Sequence, residues 1–129
     1  VIDVRVSIPL DEYWHVKDDL EAQFEKHGII VALSAETVIR TWAMLMFDEW
    51  FDNQDCWVDH YIGWGEIGLE YQDEPMLAAC SCDFVDEGSQ PRVVMNFCDE
   101  PNEFAEITEE DAERGRNLAL LFKLAHGGR

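Results

Sequence analysis

The chain has 129 residues, 28 of them Asp or Glu and 9 Lys or Arg, for a formal net charge of −19. The length suits a single domain over 1–129, and a 47% hydrophobic content with five Trp and seven Phe supplies core material that acidic disordered chains lack. No apolar run reaches the length of a membrane span, the start Val1-Ile2-Asp3-Val4-Arg5 has no signal-peptide pattern, and nucleic acid and anionic membranes repel such a charge. The expectation is a cytoplasmic domain with no direct contact to nucleic acid or membrane.

Val1 to Ile8 alternates Val4 and Val6 with Asp3, Arg5 and Ser7 and reads as a strand stopped by Pro9. From Leu10 to His27 the period turns helical. Tyr13, Val16, Leu20 and Phe24 recur at three- and four-residue steps, and Gly28 is placed to end the helix. Ile29 to Leu33 reads as a short strand or buried connector. Ser34 caps a second helix whose expected apolar stripe is Val38, Trp42, Leu45, Met46 and Trp50, fraying near Asp52-Asn53-Gln54.

Four strand-length runs follow, Cys56–Trp64, Glu66–Tyr71, Met76–Val85 and Arg92–Cys98, separated by turn residues and predicting an antiparallel meander. Thr108 then caps a last helix, with Asp111 as capping-box partner and Ile107 facing Ala112 as a hydrophobic staple. Leu118, Leu121, Phe122 and Ala125 form its expected apolar face, and Gly127-Gly128 ends it. The predicted fold class is α+β: one domain, an antiparallel sheet of four to five strands, and three helices packed on it.

Chemical motifs are scarce. Cys80-Ser81-Cys82, with Cys56, Cys98 and His60 as conceivable partners, lacks the paired spacing of zinc sites. On a strand, Met76, Ala78, Cys80, Cys82 and Phe84 instead share one apolar face. The four His show no metal-ligating pair, and no Ser lies in a nucleophile-elbow context. Asp83-Phe84-Val85-Asp86-Glu87-Gly88 has too few ligands for a calcium loop. A carboxylate-held two-metal nuclease would need bases to grip its substrate, and the acidic region has only Arg92. The expectation is a protein with no catalytic residues, metal or cofactor.

The charge itself is the strongest signal, because it is uneven. Residues 1–40 carry eight acids and four bases, and 114–129 carry four bases and no acid, so those segments balance. Residues 41–113 hold 20 acids against one base, Arg92, and account for the whole −19. Ordinary soluble surfaces intersperse both signs. Asp48, Glu49, Asp52 and Asp55 gather at the end of the second helix, where they oppose its dipole. Glu106, Glu109, Glu110 and Glu113 fall at i, i+3, i+4 and i+7 near the start of the last. With Asp59, Glu66, Glu70, Asp73, Glu74, Asp86, Glu87, Asp99, Glu100 and Glu103 they form the candidate partner-binding set.

Acids four apart on a helix stand about 6 Å apart along its axis, near the spacing of successive phosphates. Nineteen charges match the axial charge of about 32 Å of duplex DNA. Such a ridge suits the basic DNA groove of a nuclease or of a restriction or CRISPR complex. Trp50, Phe51, Trp57 and Trp64 are candidate aromatic anchors, with core packing the competing reading for the two latter.

A helix ending Asp48-Glu49-Trp50-Phe51, a strand opened by Trp57, an antiparallel sheet, and Thr108-Glu109-Glu110-Asp111-Ala112 opening a helix that ends near His126 together resemble the plasmid and phage antirestriction proteins of the ArdB/KlcA type. The resemblance implies a mobile-element inhibitor of host DNA defence with no catalytic residues. Two alternatives share the charge: an immunity or antitoxin protein covering one basic toxin, and a salt-adapted acidic domain. Three Lys in 129 residues fit the latter, whereas four Cys, five Trp and only three Thr fit it poorly.

Overall fold

The structure, a computed structural model, describes residues 1–30, 32–59, 76–83, 90–104 and 106–127, with Trp57, Asp59 and Met76 described by backbone alone. The elements run β1 (Ile2–Ser7), α1 (Leu10–Lys26), α2 (Ala35–Asn53), β2 (Trp57–Asp59), β3 (Met76–Cys82), β4 (Arg92–Phe97) and α3 (Glu109–His126). The fold is α+β, a sheet covered by helices. No described helix is long and apolar enough to cross a membrane.

Strand order is β1-β4-β3-β2. β4 lies antiparallel between β1 and β3, with Val4 opposite Met95 and Cys80 opposite Met95 on the other side. Among the described residues three strands pair antiparallel, against the expected four to five. The short β2 joins β3 in parallel, with a register shift between Trp57 and Val58. Pairing direction depends on how distant segments meet, so a row of strand-length runs could not distinguish this from a meander. The run 66–71 and the tip of the predicted 76–85 strand lie outside the described residues.

Alternation sorts the two sheet faces. Val4 and Val6 of β1 and Val93, Met95 and Phe97 of β4 are buried beneath the helices. The opposite face sets Asp3, Arg5, Ser81 and Asn96 around a buried Val94, with Asn96 donating to Asp3 at 2.6 Å and Ser81 to Asn96 at 2.8 Å. Phe47 and Phe51 of α2 meet Phe122 of α3 and Phe97 of β4 in one ring cluster; Phe51 stacks on Phe122 at 5.4 Å. These four rings are essentially solvent-free and form the centre of the core.

The caps lie where local sequence places them. Ser34 Oγ accepts the Thr37 N–H at 3.3 Å, and Gly28 takes φ +76° just past α1. At α3 the capping box is complete: Thr108 Oγ1 accepts from the Asp111 N–H at 3.2 Å, and Asp111 Oδ2 from the Thr108 N–H at 3.0 Å.

The buried faces differ from those expected. On α2 the buried residues are Val38, Ile39, Thr41, Trp42, Ala43, Phe47 and Phe51, whereas Leu45 and Met46 are exposed. On α3, Leu118 and Phe122 are buried as expected, but Leu121 and Ala125 are exposed, and Ala112, Gly115 and Ala119 take their place. Small residues face the sheet because α3 approaches it closely. An added Cβ on Gly115 would stand 1.9 Å from the Cys98 carbonyl oxygen. Ile29 and Ile30 are exposed and lie in no strand, so the expected strand or buried connector is absent at those residues.

The backbone of α1 lies against that of α2 and no other described element. Val16 is buried in this contact, with Tyr13 and Leu20 partly buried around it. Helix α2 is thus sandwiched between the sheet and α1.

Candidate functional site

The residues that follow α2 meet the first half of α3 at one end of the sheet. The first turn of α2 adjoins the far end of β3, where Cys82 Sγ lies 3.8 Å from the Glu36 carbonyl. Its last residues reach the near end. There Gln54 shares a shallow hollow with Leu77 of β3 and with Arg114 and Asn117 of α3. Arg114 stands 3.5 Å from the Asp55 carbonyl oxygen, joining the α2 exit to the first half of α3.

The Asp55 end of the first acidic group is brought to the second, whereas Phe47 and Trp50 pack on Phe122 and His126, so Asp48 and Glu49 stand level with the last turns of α3, away from Glu109, Glu110 and Glu113. Asp48, Glu49 and Asp52 are exposed on the last turns of α2, with no base in its final turn. Partial burial raises the Asp48 carboxyl above its ordinary range, and the Asp52 charge one turn on adds to the shift. Asp55 follows in the left-handed region at φ +52°. Glu109, Glu110 and Glu113 are exposed on the opening turns of α3, near the positive end of its dipole.

Glu106 departs from expectation. It is not on the helix with these three but precedes the cap, at φ +55°, inside a small loop closed by the paired Asn102 and Ile107. Glu100 and Glu103 are exposed on the same connection.

Asp99 and Glu109 are partly neutralised within the chain. Asp99 is half-buried and its Oδ1 lies 2.5 Å from the Val1 nitrogen. Arg116 donates to the Asp99 carbonyl at 2.7 Å and stands 3.5 Å from Glu109. Asp48, Glu49, Asp52, Asp55, Glu100, Glu103, Glu106, Glu110 and Glu113 have no ion-pair partner among the described residues. The side chain of Asp59, and Glu66, Glu70, Asp73, Glu74, Asp86 and Glu87, lie outside the described residues.

The expected aromatic anchors do not line this surface. Phe51 is buried in the core, and Trp50 is half-buried against Phe51, Phe122 and His126. The Trp57 side chain and Trp64 lie outside the described residues. The exposed ring is Phe104, which is fully accessible in the acidic loop, its backbone N–H bonded to Asn102 Oδ1 at 2.9 Å. An aromatic between Glu103 and Glu106, in a stretch without helical or strand period, was the signal that could have identified it.

The cysteines sit in packing positions. Cys80 is buried beside Ala78 on the helix-facing side of β3, Cys82 is half-buried, and Cys56 is buried. Burial pushes the Cys80 thiol up to about 12. No group of three metal-ligating side chains occurs among the described residues.

A second feature was not legible in the sequence. Between α1 and α2 runs a cleft of about 360 Å³ with Val16 and Trp42 at its base, Leu45 and Met46 on one wall, and Asp11, Glu12 and His15 on the other. It adjoins a hollow of about 330 Å³ toward the end of β1, with Glu12, Trp42 and Met46 common to both.

The fold and these surfaces define a class in physical terms only: a helix-covered α+β domain with an acid-rich pole and an apolar cleft. The chain matches no known family profile, no curated protein and no solved structure.

Proposed function

We propose that the protein is a non-enzymatic, cytoplasmic inhibitor from a mobile genetic element, whose acidic pole occupies the basic DNA groove of a host nuclease or of a restriction or CRISPR complex. The observation that carries the reading is the −19 concentrated in 41–113, of which nine exposed carboxylates on the last turns of α2, its exit, the 98–108 connection and the opening turns of α3 lack an internal ion-pair partner among the described residues. Maintaining unpaired like charges side by side costs folding energy, and a basic partner recovers it. Phe104 is the anchor that such a surface would insert among the charges. The ArdB/KlcA resemblance points to the same kind of role.

The test is capture of a DNA-binding complex from host extract, followed by competition with duplex DNA and with salt. Displacement by DNA is expected, with affinity falling steeply as salt rises. Asp52→Lys with Glu110→Lys should weaken capture at least about tenfold, and Phe104→Ala should add to that loss, without unfolding the chain. Asp55 and Glu106 are avoided because their left-handed backbone would confound the result. Capture indifferent to both DNA and salt would overturn the proposal.

A further inference from the structure

We infer that the cleft between α1 and α2 is a second docking surface, and that its occupant is a basic amphipathic helical segment of a protein partner. Its floor is apolar, with Val16 8% and Trp42 4% exposed, while Leu45 at 66% and Met46 at 47% exposed stand open beside it. Trp42, Leu45, Met46 and Glu49 fall at i, i+3, i+4 and i+7 along α2, so one helical face presents an apolar ridge ending in a carboxylate. Asp11 and Glu12 form the facing rim on α1. Among the described residues no lysine or arginine lines the cleft or the hollow that continues it, where the basic side chains are His15 and His126.

Complementarity selects the occupant. An apolar floor with an acidic rim on α1 and a further carboxylate, Glu49, one turn beyond the apolar wall of α2 matches a helix with large apolar residues on one face and Lys or Arg on its flanks. A second copy of this chain would bring another −19 and be repelled, as would an anionic lipid surface. An uncharged peptide would cover the floor but leave the rim carboxylates desolvated and unpaired. The shared wall of Glu12, Trp42 and Met46 extends the apolar track toward the end of β1, lengthening the surface beyond one side chain. This inference does not depend on DNA mimicry, since loss of competition by DNA would leave the cleft and its charges unchanged.

The experiment titrates the full chain with two synthetic peptides of equal positive charge. One carries Leu on one helical face and Lys on its flanks, and the other has Ser in place of Leu. The Leu-bearing peptide should bind at least about tenfold tighter, from burial of apolar side chains. Leu45→Ser with Met46→Ser keeps the net charge and alters two exposed positions, and should remove most of that advantage. The matched control, Leu120→Ser with Leu124→Ser on the outward face of α3, should leave it intact. Backbone amide NMR shifts of the unaltered protein provide a second readout and should concentrate in 11–16 and 42–49. Equal affinity for both peptides, equal loss in both double variants, or shifts confined to other elements would each overturn the inference.

Discussion

Two side chains, one in the interior and one on the acidic surface, lower stability as pH rises, each in its own pH range. Cys80 is buried, and desolvation raises its thiol to about 12; the nearby Cys82 and Glu36 push it the same way and Arg40 opposes them. The folded state therefore favours the neutral thiol. Its contribution to stability is complete below the ordinary thiol value of 9.0 and is lost as pH rises from there through about 12. The urea midpoint should fall progressively above pH 9, with a shallower fall in Cys80→Ala, and Cys80 in the native protein should resist alkylation at neutral pH. Asp48 is raised too, first by burial and then by Asp52, so its ionised form is the disfavoured one when folded. Its contribution is present in acid and lost as pH climbs through the raised value. Asp48→Asn should therefore stabilise the protein at neutral pH by about 0.3 kcal/mol, the scale of a relieved i,i+4 repulsion. That gain, read from urea midpoints, should vanish below about pH 4.

At the scale of elements, Gly115 sets how near α3 can come to the sheet. A methyl group there meets backbone, the Cys98 carbonyl at 1.9 Å, and backbone cannot rotate aside as a side chain would. Gly115→Ala gains about 1 kcal/mol of helix propensity, but it must push α3 away from β4. We expect a net loss of about 2–3 kcal/mol, visible as a lower thermal midpoint. The contrast with the caps explains what could be read in advance. Ser34, Thr108 and Asp111 act on amides within three residues, so their roles follow from local order. The buried faces of α2 and α3 do not. Helix α2 is apolar around most of its circumference, and only the positions of α1 and the sheet decide that Phe47 is enclosed while Leu45 and Met46 are open. The parallel pairing of β2 and the displacement of Glu106 from the α3 face likewise depend on tertiary geometry and a positive φ, which composition and period do not encode. In the candidate site, the acids could be named from sequence, but the cleft could not, because it exists only where two helices meet.

For the whole molecule, the charge is organised by the chain path. The exit of α2 and the end of β4 reach the same end of the sheet, so Asp55 shares it with the acids of the 98–108 connection and of the start of α3, while Asp48 and Glu49 stand further up α2, level with the last turns of α3. The exposed ring of Phe104 stands on that same connection, and the apolar cleft is built on the face of α2 turned toward α1. The proposed role requires like charges to be held close together, and the four-ring core packs beneath the α2 and α3 backbones that carry them.

The position of α1 also bears on the order in which the molecule opens. Among the described elements its backbone neighbours α2 alone, whereas α2 and α3 are tied to several strands. Such a peripheral helix is a natural unit of sub-global unfolding, with an opening free energy below that of the sheet. Amides of α1 should accordingly exchange with deuterium sooner than those of β4, which is hydrogen-bonded on both sides. Uniform protection across α1 and β4 would show instead that the helix and sheet open as one.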